Sequence, residues 1–289
     1  MLRALLKTMR PKQWAKNGFL FIGLIFDVQL RNVPALLAVT AGFAVFCLLA
    51  STIYLINDLS DIEADRQHPK KRTRPLASGE LSVGVARAAI GIFLLLGFPA
   101  AWLLSPAFFS LCVLYFLTNL AYTWWLKHIA ILDVILLAGF YVIRVGAGVS
   151  LIEVQRFSPW LYVFTTFLAL YLGVGKRRAE LSMMADDASN TRRVLEGYTL
   201  PFLDNLTIIV STLAIMTYSL YTFSAPNLPE NHAMMLTIPF IIYGIFRYLY
   251  LVQVAHSGEA PTDVLFTDRP LQVCIALWGL AVLLVFYIT

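Results

Sequence analysis

The chain has 289 residues, of which 59% are hydrophobic and 13% are charged. Soluble domains carry roughly 25% charged residues, so this composition excludes a water-soluble globule. The mean hydropathy of +0.74 and several apolar runs longer than the roughly 20 residues that cross a bilayer as a helix indicate one membrane-embedded domain over residues 1–289. The three cysteines lie in apolar stretches and are odd in number, which argues against a disulfide framework.

Uncharged windows along the sequence predict nine membrane spans. The strands of a membrane barrel would alternate apolar and polar residues, so these continuous apolar runs predict helices. The predicted fold class is therefore all-α, a polytopic bundle of nine transmembrane helices. The predicted spans cover residues 17–30, 33–56, 81–104, 106–126, 129–151, 157–175, 199–223, 233–254 and 270–288.

The basic residues orient these predicted spans. With the N-terminus in the cytoplasm, eighteen of the 22 Lys and Arg residues fall in the inside segments or, as Arg87 does, near the inside end of a span, as the positive-inside rule requires. We therefore expect a multi-pass protein of the cell membrane, plasma or inner, with a cytoplasmic N-terminus. The net charge of +5 then reflects orientation first, so nucleic acid is not needed as a partner, whereas membrane lipids with anionic headgroups are expected partners.

The polar connections differ between the two sides. The predicted inside loops at 57–80, 176–198 and 255–269 are long, whereas the outside connections at 104–106 and 151–157 are brief. We therefore expect the active site at the cytoplasmic side.

Residues 57–65, Asn-Asp-Leu-Ser-Asp-Ile-Glu-Ala-Asp, form the most informative segment. At helical spacing Asn57, Asp61 and Asp65 lie one turn apart on one face, where like charges repel unless a cation sits between them. Hard oxygen ligands suit Mg²⁺, which usually shares its coordination shell with substrate phosphates. The segment therefore predicts a Mg²⁺ cofactor and a diphosphate site; the other interpretation is a solvated, acidic helix end.

A basic segment follows, His-Pro-Lys-Lys-Arg-Thr-Arg-Pro-Leu-Ala-Ser-Gly over residues 68–79. Its four cations lie next to the acids in the sequence, which favours a phosphate site over a solvated helix end. We expect three of them to bind a phosphorylated substrate: Lys71, Arg72 and Arg74.

These two segments resemble the first Asp-rich motif of the UbiA-type intramembrane prenyltransferase superfamily, whose pattern is N-D-x-x-D-x-x-x-D. Within that superfamily the sequence looks most like the decaprenyl-phosphate phosphoribosyltransferases, and the marks of this resemblance span nearly the whole chain. They are Arg-Pro-Lys-Gln-Trp-Ala-Lys-Asn at 10–17, Leu-Lys-His at 126–128, Lys-Arg-Arg-Ala-Glu-Leu at 176–181 and Asp-Arg-Pro-Leu-Gln at 268–272.

The resemblance implies a nine-helix UbiA-type fold and a Mg²⁺-dependent transferase. The implied reaction moves 5-phosphoribose from phosphoribosyl diphosphate to a polyprenyl phosphate of the decaprenyl type and releases diphosphate, which would supply a pentose donor for the cell envelope. The resemblance also implies that Asp58, Asp61 and Asp65 are catalytic. Asn57, Asp61 and Asp65 are the implied metal ligands.

The third resemblance segment separates two activities. Aromatic prenyltransferases of the superfamily carry a second Asp-rich motif, D-x-x-x-D, where this chain has Gly-Lys-Arg-Arg-Ala-Glu at 175–180. Lys176 and Glu180 are one turn apart and are predicted to pair, which leaves Arg177 or Arg178 to bind phosphate in fork geometry. Positive-inside anchoring is the other interpretation of these cations.

Two acids further along keep a second activity open. Asp186 and Asp187 are a candidate for a displaced second acidic motif. The alternative function is therefore a UbiA-type prenyltransferase that joins a prenyl diphosphate to an aromatic acceptor.

Asp133, Arg144 and Arg247 are ionisable residues inside predicted spans, where charge is costly and indicates function by default. Asp133 and Arg144 are eleven residues apart, which is three turns and nearly the same face of a helix, so both should face the bundle interior. We expect Arg144 to bind substrate, with structural pairing to a neighbouring helix as the other interpretation, which is favoured for Asp133. Arg247, set among tyrosines, is assigned to phosphate binding or to structural stacking with equal weight.

The entrance to the first predicted span carries Trp14 and Lys16, at a depth where a lipid phosphate would lie. Interfacial anchoring explains both residues equally well, and the resemblance of the surrounding segment favours substrate contact for Lys16. The full set of predicted substrate-binding residues is Lys16, Asn57, Lys71, Arg72, Arg74, Arg144, Lys176, Arg177 and Glu180.

A transporter is the remaining class. It is disfavoured because no Gly/Pro-broken helices recur at matching positions in two halves and the polar residues concentrate on one side. A homo-oligomer stays open, because lipid-facing and partner-facing apolar surfaces look alike in sequence.

Overall fold

A computed structural model describes residues 1–68, 71–154, 158–184, 195, 197–255 and 261–288. Within this part the chain is 83% helical and contains no β-strand, so the predicted all-α class is confirmed. Asp186 and Asp187, the candidate for a displaced second acidic motif, and Lys70 of the basic segment lie outside the described part.

Twelve α-helices and several short 3₁₀ helices make up the described part. The α-helices are α1 (Leu2–Met9), α2 (Phe21–Phe26), α3 (Val33–Ser60), α4 (Ile62–Gln67), α5 (Val83–Leu104), α6 (Pro106–Trp124), α7 (Leu132–Val149), α8 (Pro159–Met184), α9 (Leu200–Ser224), α10 (Ile238–Gln253), α11 (Pro261–Thr267) and α12 (Arg269–Tyr287). The 3₁₀ helices include Pro11–Leu20, Lys71–Thr73, Leu126–His128 and Ala233–Thr237.

Seven helices in the described part are long and apolar enough to cross a membrane, which makes the chain a multi-pass membrane protein. Two predicted spans differ from this set. Residues 17–30 begin inside the 3₁₀ helix Pro11–Leu20 and continue into α2, which has six residues. The span predicted at 157–175 falls in α8, which runs on into its charged end. The nine-helix count stays a prediction.

Two helices extend beyond their predicted ends. Helix α3 continues to Ser60 and α8 continues to Met184, although polar loops were expected from residues 57 and 176. Charged residues one turn apart can pair along a helix, so a polar segment need not end one. As a result, Asp58 lies in the last turn of α3 and the basic motif lies near the end of α8.

The chain divides into two compact units. The first unit comprises residues 1–24, 29–124 and 143–153, and the second comprises 25–28, 125–142 and 154–289. One apolar cluster of the first unit joins α1, α3 and α5 through residues buried from water, including Ala4, Leu55 and Ala86.

The second unit has its own apolar cluster around the end of α8. It consists of buried residues from α7, α8, the segment before α9 and α9 itself: Val134, Val174, Leu195, Tyr198 and Leu203. This packing brings the end of α8 to the start of α7 and the start of α9.

Candidate active site

The acidic segment spans the junction between α3 and α4. The α-helix breaks at Asp61, which is both the C-cap of α3 and the N-cap of α4. The backbone N–H of Asp61 still donates to the carbonyl of Asn57 at 3.0 Å, and that of Asp65 donates to the carbonyl of Asp61 at 2.8 Å. These i,i+4 hydrogen bonds keep the three residues one turn apart, as the spacing predicts.

Asp58 is buried between two arginines. Its Oδ1 atom accepts from Arg10 Nη2 at 2.6 Å and from Arg74 Nη1 at 3.2 Å. The Arg10 guanidinium also lies 4.9 Å from the ring centroid of Tyr54, a cation–π distance. Sequence reasoning missed Arg10, although it begins the resemblance segment at 10–17.

Asp65 is also buried and shares one of these arginines. Arg74 Nη1 donates to Asp65 Oδ2 at 2.7 Å, so Arg74 bridges Asp58 and Asp65. Lys71 Nζ lies 4.0 Å from Asp65 Oδ1. Arg72 is exposed and forms no ion pair within the described residues. The fold thus brings Lys71 and Arg74 to the acids, as expected, and leaves Arg72 at the surface.

Two side-chain groups of the segment offer oxygens that have no partner among the described residues. The half-exposed carboxylate of Asp61 makes no hydrogen bond or ion pair there, and Asn57 Oδ1 is buried with no hydrogen-bond partner. A buried oxygen without a donor is costly unless a ligand satisfies it. The described part holds no group of three or more His, Cys, Asp or Glu side chains placed for a metal. One amide and two carboxylates nevertheless fit Mg²⁺, which takes few protein ligands.

Arg144 is buried in the first unit against neutral groups. Its Nε atom donates to Asn17 Oδ1 at 2.8 Å, and Nη2 donates to the Tyr115 hydroxyl at 2.8 Å. A Cβ at Gly148 would overlap the Leu20 carbonyl, so this glycine permits the close approach of α7 to the 3₁₀ helix that carries Asn17.

Lys16 directly precedes Asn17 in this 3₁₀ helix and is half-buried. Nearby, Trp14 Nε1 donates to Ser51 Oγ at 3.1 Å. The substrate contacts predicted for Lys16 and Arg144 stay predictions.

Arg177 forms a buried ion-pair network at the end of α8. Its Nε atom donates to Asp133 Oδ2 at 2.6 Å and its Nη1 atom donates to Glu180 Oε2 at 2.5 Å. Only 2% of the Arg177 side chain is exposed. The spacing predicted that Glu180 would pair with Lys176 and leave an arginine for phosphate. Glu180 does face Lys176 Nζ, at 3.9 Å, and it also pairs with Arg177.

The next arginine is paired as well. Arg178 Nε donates to Asp204 Oδ1 at 2.6 Å, and Arg178 Nη1 donates to the Val252 carbonyl at 3.4 Å. The three cations of the motif therefore face three carboxylates, those of Asp133, Glu180 and Asp204. Acids from α7 and α9, which the local spacing does not reveal, hold Arg177 and Arg178 in the described part. The phosphate contact expected of Arg177 or Arg178 stays a prediction.

Tyr198 completes this network and was not identified from the sequence. Its hydroxyl donates to Asp133 Oδ1 at 2.6 Å and accepts from the backbone N–H of Ile131 at 2.5 Å. Burial raises the pKa of Tyr198, and the hydrogen bond to Asp133 raises this pKa further. The phenol is therefore a protonated donor at neutral pH.

Arg247 is held by an acid at the start of α12. Its Nε and Nη2 atoms donate to the two carboxylate oxygens of Asp268, at 3.2 and 2.7 Å. Asp268 also caps α12 by accepting from the Leu271 N–H at 2.9 Å. The hydrogen bonds from Arg247 hold the pKa of Asp268 below its usual range. This geometry favours the structural interpretation of Arg247.

Comparisons with known proteins agree with the resemblance read from the motifs. The sequence matches the UbiA prenyltransferase family over residues 19–267. It is 32% identical over 282 residues to a Mycobacterium tuberculosis protein named decaprenyl-phosphate phosphoribosyltransferase. The aligned region covers 96% of this chain and 92% of that protein. A protein of the same name from Corynebacterium glutamicum is 31% identical and covers 98% of this chain and 87% of that one.

The fold also has a solved counterpart. A UbiA homolog from Archaeoglobus fulgidus, determined with DMAPP and Mg²⁺ bound, superposes with a TM-score of 0.73 and covers 99% of each chain at 20% sequence identity.

Proposed function

Because the chain belongs to the UbiA prenyltransferase family, we propose that it is a membrane transferase that moves 5-phosphoribose from phosphoribosyl diphosphate to a polyprenyl phosphate and releases diphosphate. The observation that carries this proposal is the extent of the similarity to relatives named for this activity. It covers nearly the whole chain and therefore includes both the acidic segment and the motif at the end of α8.

The acceptor needs little activation in this reaction. A phosphate oxygen of a polyprenyl phosphate is already anionic at neutral pH and can attack the anomeric carbon of the ribose without a general base. The barrier lies in the departure of diphosphate while positive charge develops on the sugar. The protein must therefore stabilise a leaving diphosphate and hold two phosphorylated substrates in register.

The acidic segment is assigned to the diphosphate. Asn57, Asp61 and Asp65 would hold Mg²⁺, since Asn57 Oδ1 and the Asp61 carboxylate are oxygen donors without partners in the described part. Bound there, Mg²⁺ supplies positive charge that neutralises the leaving diphosphate. Lys71 adds charge beside it, since Lys71 Nζ lies 4.0 Å from Asp65 Oδ1, and the substrate contact of Arg72, which lies at the surface, stays a prediction.

Asp58 has a different assignment within the same segment. Two arginines already compensate its charge, so it holds Arg10 and Arg74 in place. Arg74 in turn links Asp58 to Asp65 and fixes the separation between the end of α3 and α4.

The predicted setting forms part of the proposal. The N-terminus lies in the cytoplasm with the chain in the plasma or inner membrane, and the product serves as a pentose donor for the cell envelope. The positive-inside distribution of Lys and Arg supports the orientation.

A paired assay on the purified protein with Mg²⁺ tests the activity. One reaction receives labelled phosphoribosyl diphosphate and decaprenyl phosphate, and the other receives labelled prenyl diphosphate and 4-hydroxybenzoate. We expect label to enter lipid in the first reaction alone. Label in the aromatic acid would support the alternative prenyltransferase, and label in neither product would refute the proposed substrates.

A further inference from the structure

The end of α8 is fixed to three neighbouring elements of the second unit. A Cβ at Gly175 would lie 2.8 Å from the Tyr248 ring, so the glycine lets Tyr248 of α10 pack directly against α8. Arg178 reaches Asp204 of α9, and Arg177 reaches Asp133 of α7. Each contact uses a different residue of the motif.

Tyr198 ties this network to a strained turn before α7. Ile131 has a φ of 71°, an unfavourable conformation for a β-branched residue. Such strain persists only where surrounding contacts hold it. The Tyr198 hydroxyl supplies one such contact, because it accepts the Ile131 N–H while it donates to Asp133.

Exposure distinguishes the three cations of the motif. The exposed fraction of the side chain is 32% for Lys176, 2% for Arg177 and 12% for Arg178. Lys176 Nζ and the Glu180 carboxylate are separated by 3.9 Å, whereas both arginines make bonds of 2.6 Å or less to carboxylates. Breaking the buried pair of Arg177 and Asp133 would leave a buried carboxylate uncompensated. Arg178 is partly buried and is held by Asp204 at 2.6 Å, so both guanidinium groups are less suited than Lys176 to exchange partners.

We propose that Arg177 and Tyr198 are positioning residues, which fix the end of α8 through Asp133 and Glu180 so that Lys176 is the cation of this motif that contacts a substrate phosphate. The inference rests on the proposed function. It assigns the arginine of the basic motif to the scaffold and the lysine to the substrate. The ligand chemistry is a phosphate monoester or diphosphate, which both proposed substrates carry.

A matched pair of hydroxyl deletions tests the role of Tyr198. Tyr198→Phe removes the bonds to Asp133 and Ile131. Tyr218→Phe removes a comparable pair, because the buried Tyr218 hydroxyl lies 2.6 Å from the Thr237 hydroxyl and accepts from Trp278 Nε1 at 2.8 Å. Both variants keep the ring, so both should fold with a similar loss of thermal stability.

The two variants should differ in kinetics. Tyr198→Phe should raise KM for one phosphorylated substrate about tenfold, the effect of misplacing one charged hydrogen-bond donor, with little change in kcat. Tyr218→Phe should leave both KM values unchanged. Measuring KM separately for phosphoribosyl diphosphate and for polyprenyl phosphate identifies which phosphate Lys176 contacts. Equal KM values in the two variants would overturn the inference.

A double variant separates positioning through Lys176 from direct contact. If Tyr198 acts through Lys176, Tyr198→Phe should add no further increase in KM once Lys176→Met is present. Multiplicative effects of the two substitutions would refute the mechanism. Arg177→Lys offers a second route, since lysine keeps the charge but lacks the fork that reaches two carboxylates, and it should reproduce the KM effect of Tyr198→Phe.

Amide hydrogen exchange provides a readout that needs no substrate. The Ile131 amide should exchange faster in Tyr198→Phe and at the wild-type rate in Tyr218→Phe. Failure of the proposed function would appear as a wild-type protein without phosphoribosyl transfer. Failure of this inference would appear as unchanged exchange at Ile131 together with unchanged KM in an active Tyr198→Phe variant.

Discussion

Helices α3 and α8 both end in a charged segment, and the two segments compensate their charges differently. At the end of α3 the acids pair with cations from other segments of the chain. Arg10 and Arg74 neutralise Asp58, and Arg74 also pairs with Asp65. This pairing leaves the Asp61 carboxylate and the Asn57 side-chain oxygen without partners in the described part.

At the end of α8 it is the cations that pair with acids, two of which lie on other helices. Asp133 and Glu180 hold Arg177, and Asp204 holds Arg178. Lys176 is the most exposed of the three motif cations. The net charge of a motif in the sequence therefore differs from the net charge of the folded site, because other elements supply opposite charges. Packing as well as local spacing decides how far each charge of such a motif is exposed.

Metal removal tests the open oxygens of the acidic segment with the largest expected effect. We expect phosphoribosyl transfer to fall to background in excess EDTA and to return on addition of Mg²⁺, because the leaving diphosphate would lose its neutralising charge. Full activity in EDTA would remove the reason for grouping Asn57, Asp61 and Asp65 as ligands.

Asp61→Asn should give the next largest effect. The substitution removes an unpaired charge that the proposal assigns to the metal, so we expect kcat to fall by about 10²- to 10³-fold. The melting temperature should be unchanged, since the side chain has no partner in the described part. Glu63→Gln is the matched control. Its side chain is 82% exposed and pairs with Arg66 at 2.9 Å, and turnover should stay at the wild-type level. Equal turnover in the two variants would contradict the distinction between these acids.

Lys176→Met tests the substrate contact proposed for the basic motif. Loss of the exposed ammonium should raise KM for a phosphorylated substrate about tenfold, as expected for one charge-assisted contact. Lys7→Met is the control, because Lys7 Nζ also lies near a glutamate, 3.7 Å from Glu80. Steady-state kinetics of both variants measure the effect. Wild-type KM values in Lys176→Met would contradict the substrate contact and support membrane anchoring as the role of Lys176.

Asp268→Ala should have the smallest effect on catalysis. It removes the partner of Arg247 and the cap of α12, so we expect a loss of about 2 °C in melting temperature. The kinetic constants should be unchanged because the pair is structural. Thermal unfolding and the transfer assay on one preparation provide the test. A large rise in KM would contradict the structural role and support phosphate binding by Arg247.

Local spacing was readable from the sequence because helix geometry alone sets it. A rise of about 1.5 Å per residue places Asn57, Asp61 and Asp65 one turn apart wherever the helix lies, and the backbone hydrogen bonds keep that spacing across the break at Asp61. The Lys176–Glu180 pair follows from the same rule. Apolar composition likewise determined the membrane-embedded, all-helical class.

Helix packing decided which charges far apart in the sequence compensate each other. Arg10 lies 48 positions from Asp58, Arg177 lies 44 positions from Asp133, and Tyr198 lies 65 positions from Asp133. No periodicity links residues so far apart, because their meeting depends on how the helices pack. The sequence was enough for the all-helical class, the membrane-embedded character and the spacing of the acidic segment. Only packing decided which groups remain open to substrate, because a buried charge must find its partner on another element.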